Sequence, residues 1–485
     1  RLHLKERAER ESYQVFGSNL QRILMGAPAG AKVVMGVDPG FRTGVKLAII
    51  DKIGKLVENR TIFPVPPKNE VEASKTILLA MIETFQVEII AVGNGTASRE
   101  VESFVRDSIK DLEKPPLCMV VSEAGASVYS ASPLAVKEFP KLDITVRSAV
   151  SIARRVQDPL AEFVKIDPKS IGVGQYQHDV NQTELKRKLE QVVESCVNQV
   201  GVDVNTASES LLGYVSGVNK TLAKNLVEYR NQKGAFVSRS SLVKVPQFGP
   251  KAFEQAAGFL RVQKSENPLD TSAVHPERYE LVKQMCSDVG LELKDAIGNK
   301  DKITQIDPQK YVEEDVGLPT LQDILSELEK PSRDPRSEFS YAQFDAKVHE
   351  IKDLETGMWL EGAVSNVTDF GAFVDIGVHQ DGLVHISEMA DTFVKDPKAF
   401  ISPGTIVQVR VLEVDQQQKR ISLSMKKEES TAGASKKRPV KKGFKPKRKH
   451  ATVDQLVNKF EGKGKGKKSN VKLAYSLKSI MRSGR

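Results

Sequence analysis

The chain is poor in the residues that mark disulfide-rich, zinc-stabilised and membrane-spanning proteins. Its 485 residues include three cysteines, which lie far apart and form no CxxC pair, so neither a disulfide framework nor a structural zinc site is expected. Seven scattered histidines show no metal-ligand spacing. No apolar run is long enough to cross a bilayer, and no signal-peptide pattern opens the chain. These absences predict a cytoplasmic protein with no metal and no other cofactor.

Common catalytic motifs are missing as well. There is no GxxxxGK[ST] phosphate loop, no HExxH, no GxSxG and no GxGxxG after a strand. The composition is that of an ordinary globular protein, and the length exceeds what one hydrophobic core can hold, so three or more domains are expected. Because the chain begins at Arg1 and not at a methionine, we also expect a further segment before it.

Positive charge is concentrated at the carboxyl end. Between Lys426 and Arg485 there are 20 Lys and Arg residues against 4 Asp and Glu, a net charge of +16, so the rest of the chain carries −7. This end is also rich in Gly and Ser, which predicts a disordered basic tail over 428–485. Such a tail is typical of proteins that bind polyanions, above all nucleic acid; the alternative is a tail that only aids solubility.

The first third of the chain combines one helix with a strand-and-helix pattern. Apolar residues recur at helical spacing from 1 to about 26, and this helix is expected to close a domain that begins earlier. Three hairpin-linked strands, two strand–helix units and a last helix over Val146–Val164 predict a mixed α/β sheet with helices on both faces. The predicted strands are Val33–Asp38, Val45–Asp51, Leu56–Phe63, Glu88–Val92 and Leu117–Ser122.

A helical region, roughly Gln182–Val262, contains an internal repeat. Two turns of similar build, Val215–Lys220 and Val245–Lys251, each open a helix. Both resemble helix-hairpin-helix motifs, in which a glycine-rich hairpin lets backbone amides approach a phosphate. The alternative is that the hairpins only join packed helices. The resemblance implies a set of DNA-binding residues at and just after the hairpins: Gly217, Asn219, Lys220, Gly249 and Lys251.

Dense β alternation occupies 357–425. Five short strands in about 70 residues predict a small closed barrel of the OB type. Two phenylalanines flank a glycine at a strand start, and aromatic rings on a barrel face stack on unpaired bases. The region resembles the S1 RNA-binding domain; the alternative is a barrel used only to dock a protein. The resemblance implies four side chains on the nucleic-acid face: Phe370, Phe373, His385 and Arg420.

The α/β region holds the one serious enzyme candidate. The segment Asp38–Gly44 ends the first strand and resembles the opening motif of the YqgF and RuvC-like RNase H superfamily, whose enzymes place carboxylates around two magnesium ions. The resemblance implies three candidate catalytic acids, Asp38, Glu123 and Asp158. However, the fourth strand ends in glycines and an asparagine at 93–95, without a carboxylate. We therefore favour a fold retained after its chemistry was lost, with no catalytic residue.

The order of these parts is more specific than any one of them. Together with the motifs Gly93–Glu100, Ser122–Tyr129 and Asn267–Asp270, it resembles the Tex family of RNA-binding transcription accessory proteins, over about residues 1 to 426. The resemblance implies a helical region before Arg1. The fold class is multidomain α+β, with an RNase H-like mixed α/β domain, a helical helix-hairpin-helix region, a five-stranded OB-type barrel and a basic tail. The predicted domains are a helix from a truncated N-terminal domain (1–31), the YqgF/RNase H-like domain (32–166), the tandem helix-hairpin-helix region (167–265), a helical connecting domain (266–353), the S1 domain (354–427) and the tail (428–485).

Two classes of function fit this order. The first is a non-enzymatic transcription accessory factor that binds single-stranded RNA through the barrel and DNA through the hairpins, with transcribing RNA polymerase or the ribosome as the candidate protein partner. The second is a metal-dependent, structure-selective nuclease that uses Asp38, Glu123 and Asp158. The positions of the three carboxyl groups distinguish the two functions. Convergence of these groups on one point would favour the nuclease.

Overall fold

A computed structural model describes residues 2–313, 316–331, 334–339, 348, 351–378, 380–392, 394–401, 405–415 and 420–426. The predicted tail lies outside these residues, so its disorder stays a prediction. Within these ranges no helix has the length and apolar character needed to span a membrane.

The first helix, α1 (Leu2–Leu24), is followed by a five-stranded mixed sheet. The strands are β1 (Val34–Asp38), β2 (Val45–Ile50), β3 (Leu56–Ile62), β4 (Ile89–Gly93) and β5 (Leu117–Val121), in the order β3-β2-β1-β4-β5. The first three strands pair antiparallel, whereas β4 pairs parallel with β1 and β5. This arrangement confirms the predicted mixed α/β sheet.

Helices cover both faces of the sheet. They are α2 (Val71–Phe85), α3 (Ser98–Ile109), α4 (Ala126–Ala131), α5 (Pro133–Glu138), α6 (Ile144–Gln157) and α7 (Pro159–Phe163). The apolar sides of α2 and α3 pack on one face, and α6 packs on the other. Where α6 crosses β1, Gly36 is required, since any β-carbon there would overlap the backbone of Ala149.

The last helix of this domain is shorter than predicted. The expected helix over Val146–Val164 ends at Gln157, because Pro159 has no amide hydrogen to continue it. Asp158 takes an extended conformation and caps α7, where its carboxylate accepts a hydrogen bond from the amide of Ala161. Asp158 therefore lies just beyond α6 and not within a continuous helix.

The helical region that follows contains α8 (Gln182–Val200), β6 (Val202–Asp203), α9 (Glu209–Leu212), α10 (Lys220–Lys233), α11 (Pro250–Ala256) and β7 (Leu260–Arg261). The two short strands pair in parallel. The buried side chains of α1, Phe16, Leu20 and Leu24, belong to the core of this region. The apolar face of α1 packs on α7 and α8. That α1 also closes a domain that begins earlier stays a prediction.

A second helical layer is built from α12 (Tyr279–Asp288), α13 (Leu293–Ala296), α14 (Lys300–Ile303) and α15 (Leu318–Glu329). It is joined to the hairpin region by Arg239, which is buried and donates to the carbonyls of Leu260 and Val274 and to the hydroxyl of Tyr279, each at 2.7 Å. Asp270 accepts from the Arg239 amide and from the Tyr279 hydroxyl. This network gives the motif Asn267–Asp270 a structural role.

The final domain is a closed barrel of five strands with the order β10-β12-β11-β8-β9. Its elements are β8 (Trp359–Thr368), β9 (Gly371–Asp375), β10 (Gly382–His385), α16 (Pro397–Phe400), β11 (Ile406–Asp415) and β12 (Arg420–Ser424). Closure comes from β10, which pairs antiparallel with β9 and parallel with β12. The barrel confirms the predicted OB-type fold.

Candidate nucleic-acid interface

Two aromatic rings stand together at one edge of the barrel. Phe370, in the turn between β8 and β9, is 50% exposed, and its ring meets that of Phe373 edge to face with centroids 6.1 Å apart. The turn requires a glycine at position 371, which has a φ of 153° and whose β-carbon would overlap the carbonyl of Val384. The Phe-Gly-Ala-Phe pattern therefore fixes both rings beside the end of β10.

His385 and Arg420 lie on the same outer surface. His385 is exposed and opposes Gly371 across the β9–β10 pair, which sets it next to the rings. Phe373 opposes Leu383, and Leu383 opposes Ser422 on β12. Because side chains alternate along a strand, Arg420 projects on the same side as Ser422. The structure thus places all four predicted side chains on one surface, with Arg420 on the strand next to β10.

The first hairpin has the geometry expected of its sequence. Gly217 adopts a φ of 81°, in the left-handed region that favours glycine. Asn219 is the N-cap of α10, and its side-chain oxygen accepts from the amide of Leu222 at 2.9 Å. Lys220, the first residue of the helix, is exposed.

The second hairpin replaces the left-handed glycine with glutamine. Gln247 has a φ of 67°, so it occupies the backbone conformation that Gly217 occupies in the first hairpin. Gly249 precedes α11, and Lys251 is exposed. Asn225 of α10 donates to the carbonyl of Pro246 at 2.9 Å, so the two hairpins form one structural unit.

The retained glycines of the two hairpins have different surroundings. A β-carbon at Gly217 would lie 2.7 Å from the β-carbon of Gln255, so this glycine lets the first hairpin pack against α11. The cleft beside it, about 420 Å³, is lined by Glu194, which accepts from the hydroxyl of Ser216 at 3.0 Å. By contrast, a β-carbon at Gly249 would meet nothing within 4 Å. Gly217 is therefore a packing position, whereas Gly249, the N-cap of α11, has open space beside its α-carbon.

Two of the three candidate acids meet at the carboxyl end of β1. Burial, with the nearby charge of Glu123 adding to it, raises the pKa of Asp38 to about 6, although a hydrogen bond with Ser148 opposes the shift. Lys46 opposes Asp38 across the β1–β2 pair and donates to the carbonyl of Gly44 at 3.1 Å. The Glu123 carboxylate packs directly against Gly95, where a β-carbon would overlap it.

Asp158 does not join them. Helix α6 runs antiparallel to β1, so Ser148 lies beside Asp38, whereas Gln157 lies at the other end and donates to the carbonyl of Lys32 at 2.7 Å. Asp158 follows Gln157 and forms an ion pair with Arg336 at 2.7 Å. The expectation that Asp158 completes the acid cluster therefore disagrees with its position. Among the described residues no group of three or more His, Cys, Asp or Glu is arranged to hold a metal ion, so the donors do not fit a two-metal site.

Sequence reasoning missed the residues that surround Asp38. Lys46 carried a signal, because it is the one charged residue within the apolar run of β2. Ser148, Ser151 and Arg155 recur at helical spacing on the buried side of α6, which could have indicated a polar stripe under the site. Arg336 carried no such signal, because it lies 178 residues from Asp158 in the sequence.

Four family models match the chain. A Tex protein YqgF-like domain matches 32–157, a helix-hairpin-helix motif matches 197–261, and an S1 RNA-binding domain matches 353–426. The fourth, described as an HHH domain, matches 267–336, a region for which the sequence predicted only connecting helices.

Curated relatives match across most of the chain. Protein tex of Bordetella pertussis is 56% identical over 424 residues, which is 87% of this chain and 54% of the relative. Protein YhgF of Escherichia coli is 56% identical over 427 residues, 88% of this chain and 55% of the relative. The transcriptional accessory protein Tex of Neisseria gonorrhoeae is 54% identical over 437 residues, 90% of this chain and 57% of the relative. The chain thus spans about half the length of the curated relatives it matches.

Proposed function

The chain belongs to the Tex family, and from that premise we propose that it is a non-enzymatic factor that binds single-stranded RNA through its barrel and DNA through its hairpins during transcription. The observation that carries the proposal is the exposed ring of Phe370, which meets the half-buried ring of Phe373 edge to face beside His385. Stacking of an unpaired base on an aromatic ring that is exposed at a barrel edge is energetically favourable. Every base has a π-face, so this contact tolerates many RNA sequences.

The hairpins supply the proposed DNA contacts. Lys220 and Lys251 are exposed at the starts of two helices, and neither forms an ion pair with a described residue. A helix start and a free ammonium group both attract phosphate, and such contacts carry no base information. The tail, with a net charge of +14 over 428–485, would add sequence-independent attraction to the same polyanions.

The proposal assigns no hydrolysis to the RNase H-like domain, because Ser148 faces Asp38 and Asp158 is paired with Arg336. The name of the Neisseria gonorrhoeae relative favours transcribing RNA polymerase over the ribosome as the protein partner. The three cysteines are buried and free, which favours a reducing, cytoplasmic setting.

The proposal is tested on the barrel face. The double variant Phe373→Ala, His385→Ala should bind single-stranded RNA at least tenfold more weakly than the parent, since stacking on one aromatic ring is worth roughly 1–3 kcal/mol per base. The measurement is fluorescence anisotropy of a labelled RNA at fixed salt, with circular dichroism to establish that the variant is folded.

Trp359→Ala is the matched control. Trp359 is 43% exposed on the same barrel, but it lies at the start of β8 beside Arg410, seven residues from the Asn366 position that opposes Phe373. That separation is roughly 20 Å along a strand. RNA affinity should not change in this variant. A folded double variant with parental affinity, or an equal loss in Trp359→Ala, would contradict the proposed face.

A further inference from the structure

A cavity of about 720 Å³ lies where the α/β domain, the hairpin region and the segment 334–339 meet. It is lined by Arg154 and Glu162 from the first, Arg261 from the second and Arg336 from the third. None of the residues proposed above to bind nucleic acid lines it. Its volume is in the range of cavities that hold small ligands.

Arg261 faces this cavity without a partner. The residue is 7% exposed, and its guanidinium forms no hydrogen bond or ion pair with any residue that the structure describes. It rests on Gly201, whose φ of 77° and missing side chain leave room for it. The carboxylates of Asp334 and Glu327 lie near enough to stabilise the charged form of Arg261, but both have other partners. Asp334 pairs with Arg336, and Glu327 accepts a hydrogen bond from the amide of Ala273.

Arg239, a second buried arginine in the same region, has the hydrogen bonds expected of a structural residue. Arg239 is 1% exposed, and its guanidinium donates to the carbonyls of Leu260, Ser272 and Val274 and to the hydroxyl of Tyr279. The fold thus satisfies one buried guanidinium fully and leaves the other unbonded. A buried cation without a partner is costly, so a partner from outside the chain is expected at Arg261.

Glu162 adds a second unsatisfied group to the same cavity. It is 2% exposed; one carboxylate oxygen pairs with Lys165 at 2.8 Å, and the other, Oε1, has no partner among the described residues. The charged lining is balanced, with five cations and five acids, most of them paired with one another. Balanced charge disfavours a polyanion and favours a small ligand with one anionic group and at least one donor.

We propose that this cavity binds a small phosphate-bearing ligand of about nucleoside monophosphate size, with its phosphate on Arg261 and a hydroxyl or amino group donating to Glu162 Oε1. The planar fork of a guanidinium matches the oxygens of a phosphate, and it matches a carboxylate in the same way. Such a ligand would contact three segments at once and hold them together.

The test is thermal unfolding of the full chain in potassium chloride, then with inorganic phosphate, adenosine monophosphate or glutamate at matched ionic strength. In chloride, Arg261→Met should unfold at a higher temperature than the parent, because it removes a buried charge that has no partner. Arg239→Met is the matched control and should unfold at a lower temperature, because it removes a guanidinium that is fully bonded. Phosphate and adenosine monophosphate should raise the unfolding temperature of the parent by several degrees and leave that of Arg261→Met unchanged.

Three results would overturn the proposal. Arg261→Met could unfold below the parent in chloride, as Arg239→Met should, which would make Arg261 a structural residue. The phosphate probes could leave the parent unshifted, or shift parent and variant alike, which would remove the site. Glutamate alone could shift the parent, which would assign the cavity to a carboxylate and not to a phosphate.

Discussion

The barrel surface and the carboxyl end of the α/β sheet differ in the surroundings of their functional side chains. On the barrel, Phe370, His385 and Arg420 point to solvent, where a ligand can reach them. At the sheet, Asp38 is bonded to Ser148, and the Glu123 carboxylate is packed on Gly95. The first surface is open to a ligand, whereas the acids of the second are in contact with their own chain. A fold alone does not determine function, which depends on the side chains that a surface presents.

The largest effect is expected where the sheet keeps a carboxylate that costs stability. With a pKa of about 6, Asp38 holds its proton more tightly in the folded than in the unfolded state, so the stability of the fold falls as pH rises from about 4 to about 6, and the full penalty is present above pH 6. Asp38→Asn should therefore stabilise the protein at pH 7.5 by up to about 3 kcal/mol. The gain should shrink as pH falls toward 4, because the folded carboxyl is then protonated. Urea unfolding followed by far-UV circular dichroism at several pH values measures it.

Asp51→Asn is the control for that measurement. Asp51 accepts from the amides of Ile53 and Lys55 in the β2–β3 turn, and asparagine can accept the same bonds. We expect little change at any pH. A pH-independent gain in Asp38→Asn, or a loss at pH 7.5, would contradict the raised pKa of the Asp38 carboxyl.

A smaller effect is expected at the hairpins. Lys220→Glu with Lys251→Glu should lower affinity for duplex DNA several-fold and by a similar factor for every sequence, because phosphate contacts do not read bases. Affinity for single-stranded RNA should change much less, because the stacking face of the barrel lies on a separate domain. Filter binding on several duplexes and one single-stranded RNA measures both. If DNA affinity is the same for the double variant and the parent, the hairpins only pack helices.

No effect at all is expected in a cleavage assay. Supplied with magnesium or manganese, the protein should leave RNA, duplex DNA and branched DNA intact, because two carboxylates and Ser148 cannot hold two metal ions. Gel electrophoresis of end-labelled substrates is the measurement. Metal-dependent cutting that disappears in Asp38→Asn would show that the carboxyl end of the α/β sheet is a catalytic site.

Sequence alone predicted local elements better than distant contacts. The five strands predicted for the α/β sheet, from Val33–Asp38 to Leu117–Ser122, match the observed bounds to within one residue, because alternation and turn residues determine them locally. The end of α6 also has a local cause, since Pro159 cannot continue a helix, and the predicted helix over Val146–Val164 did not take it into account. The ion pair between Asp158 and Arg336 could not be read, because nothing in the sequence relates two positions so far apart.

The central claim, that the outer surface of the barrel binds single-stranded RNA, is tested most directly by photochemical crosslinking. The full chain is irradiated with a uridine-containing single-stranded RNA, and the modified peptides are identified by mass spectrometry. Since stacked rings lie in contact with bases, we predict adducts on Phe370, Phe373 or His385, and their loss when an excess of unlabelled RNA competes. Adducts confined to the hairpins, with none on the barrel, would contradict the claim.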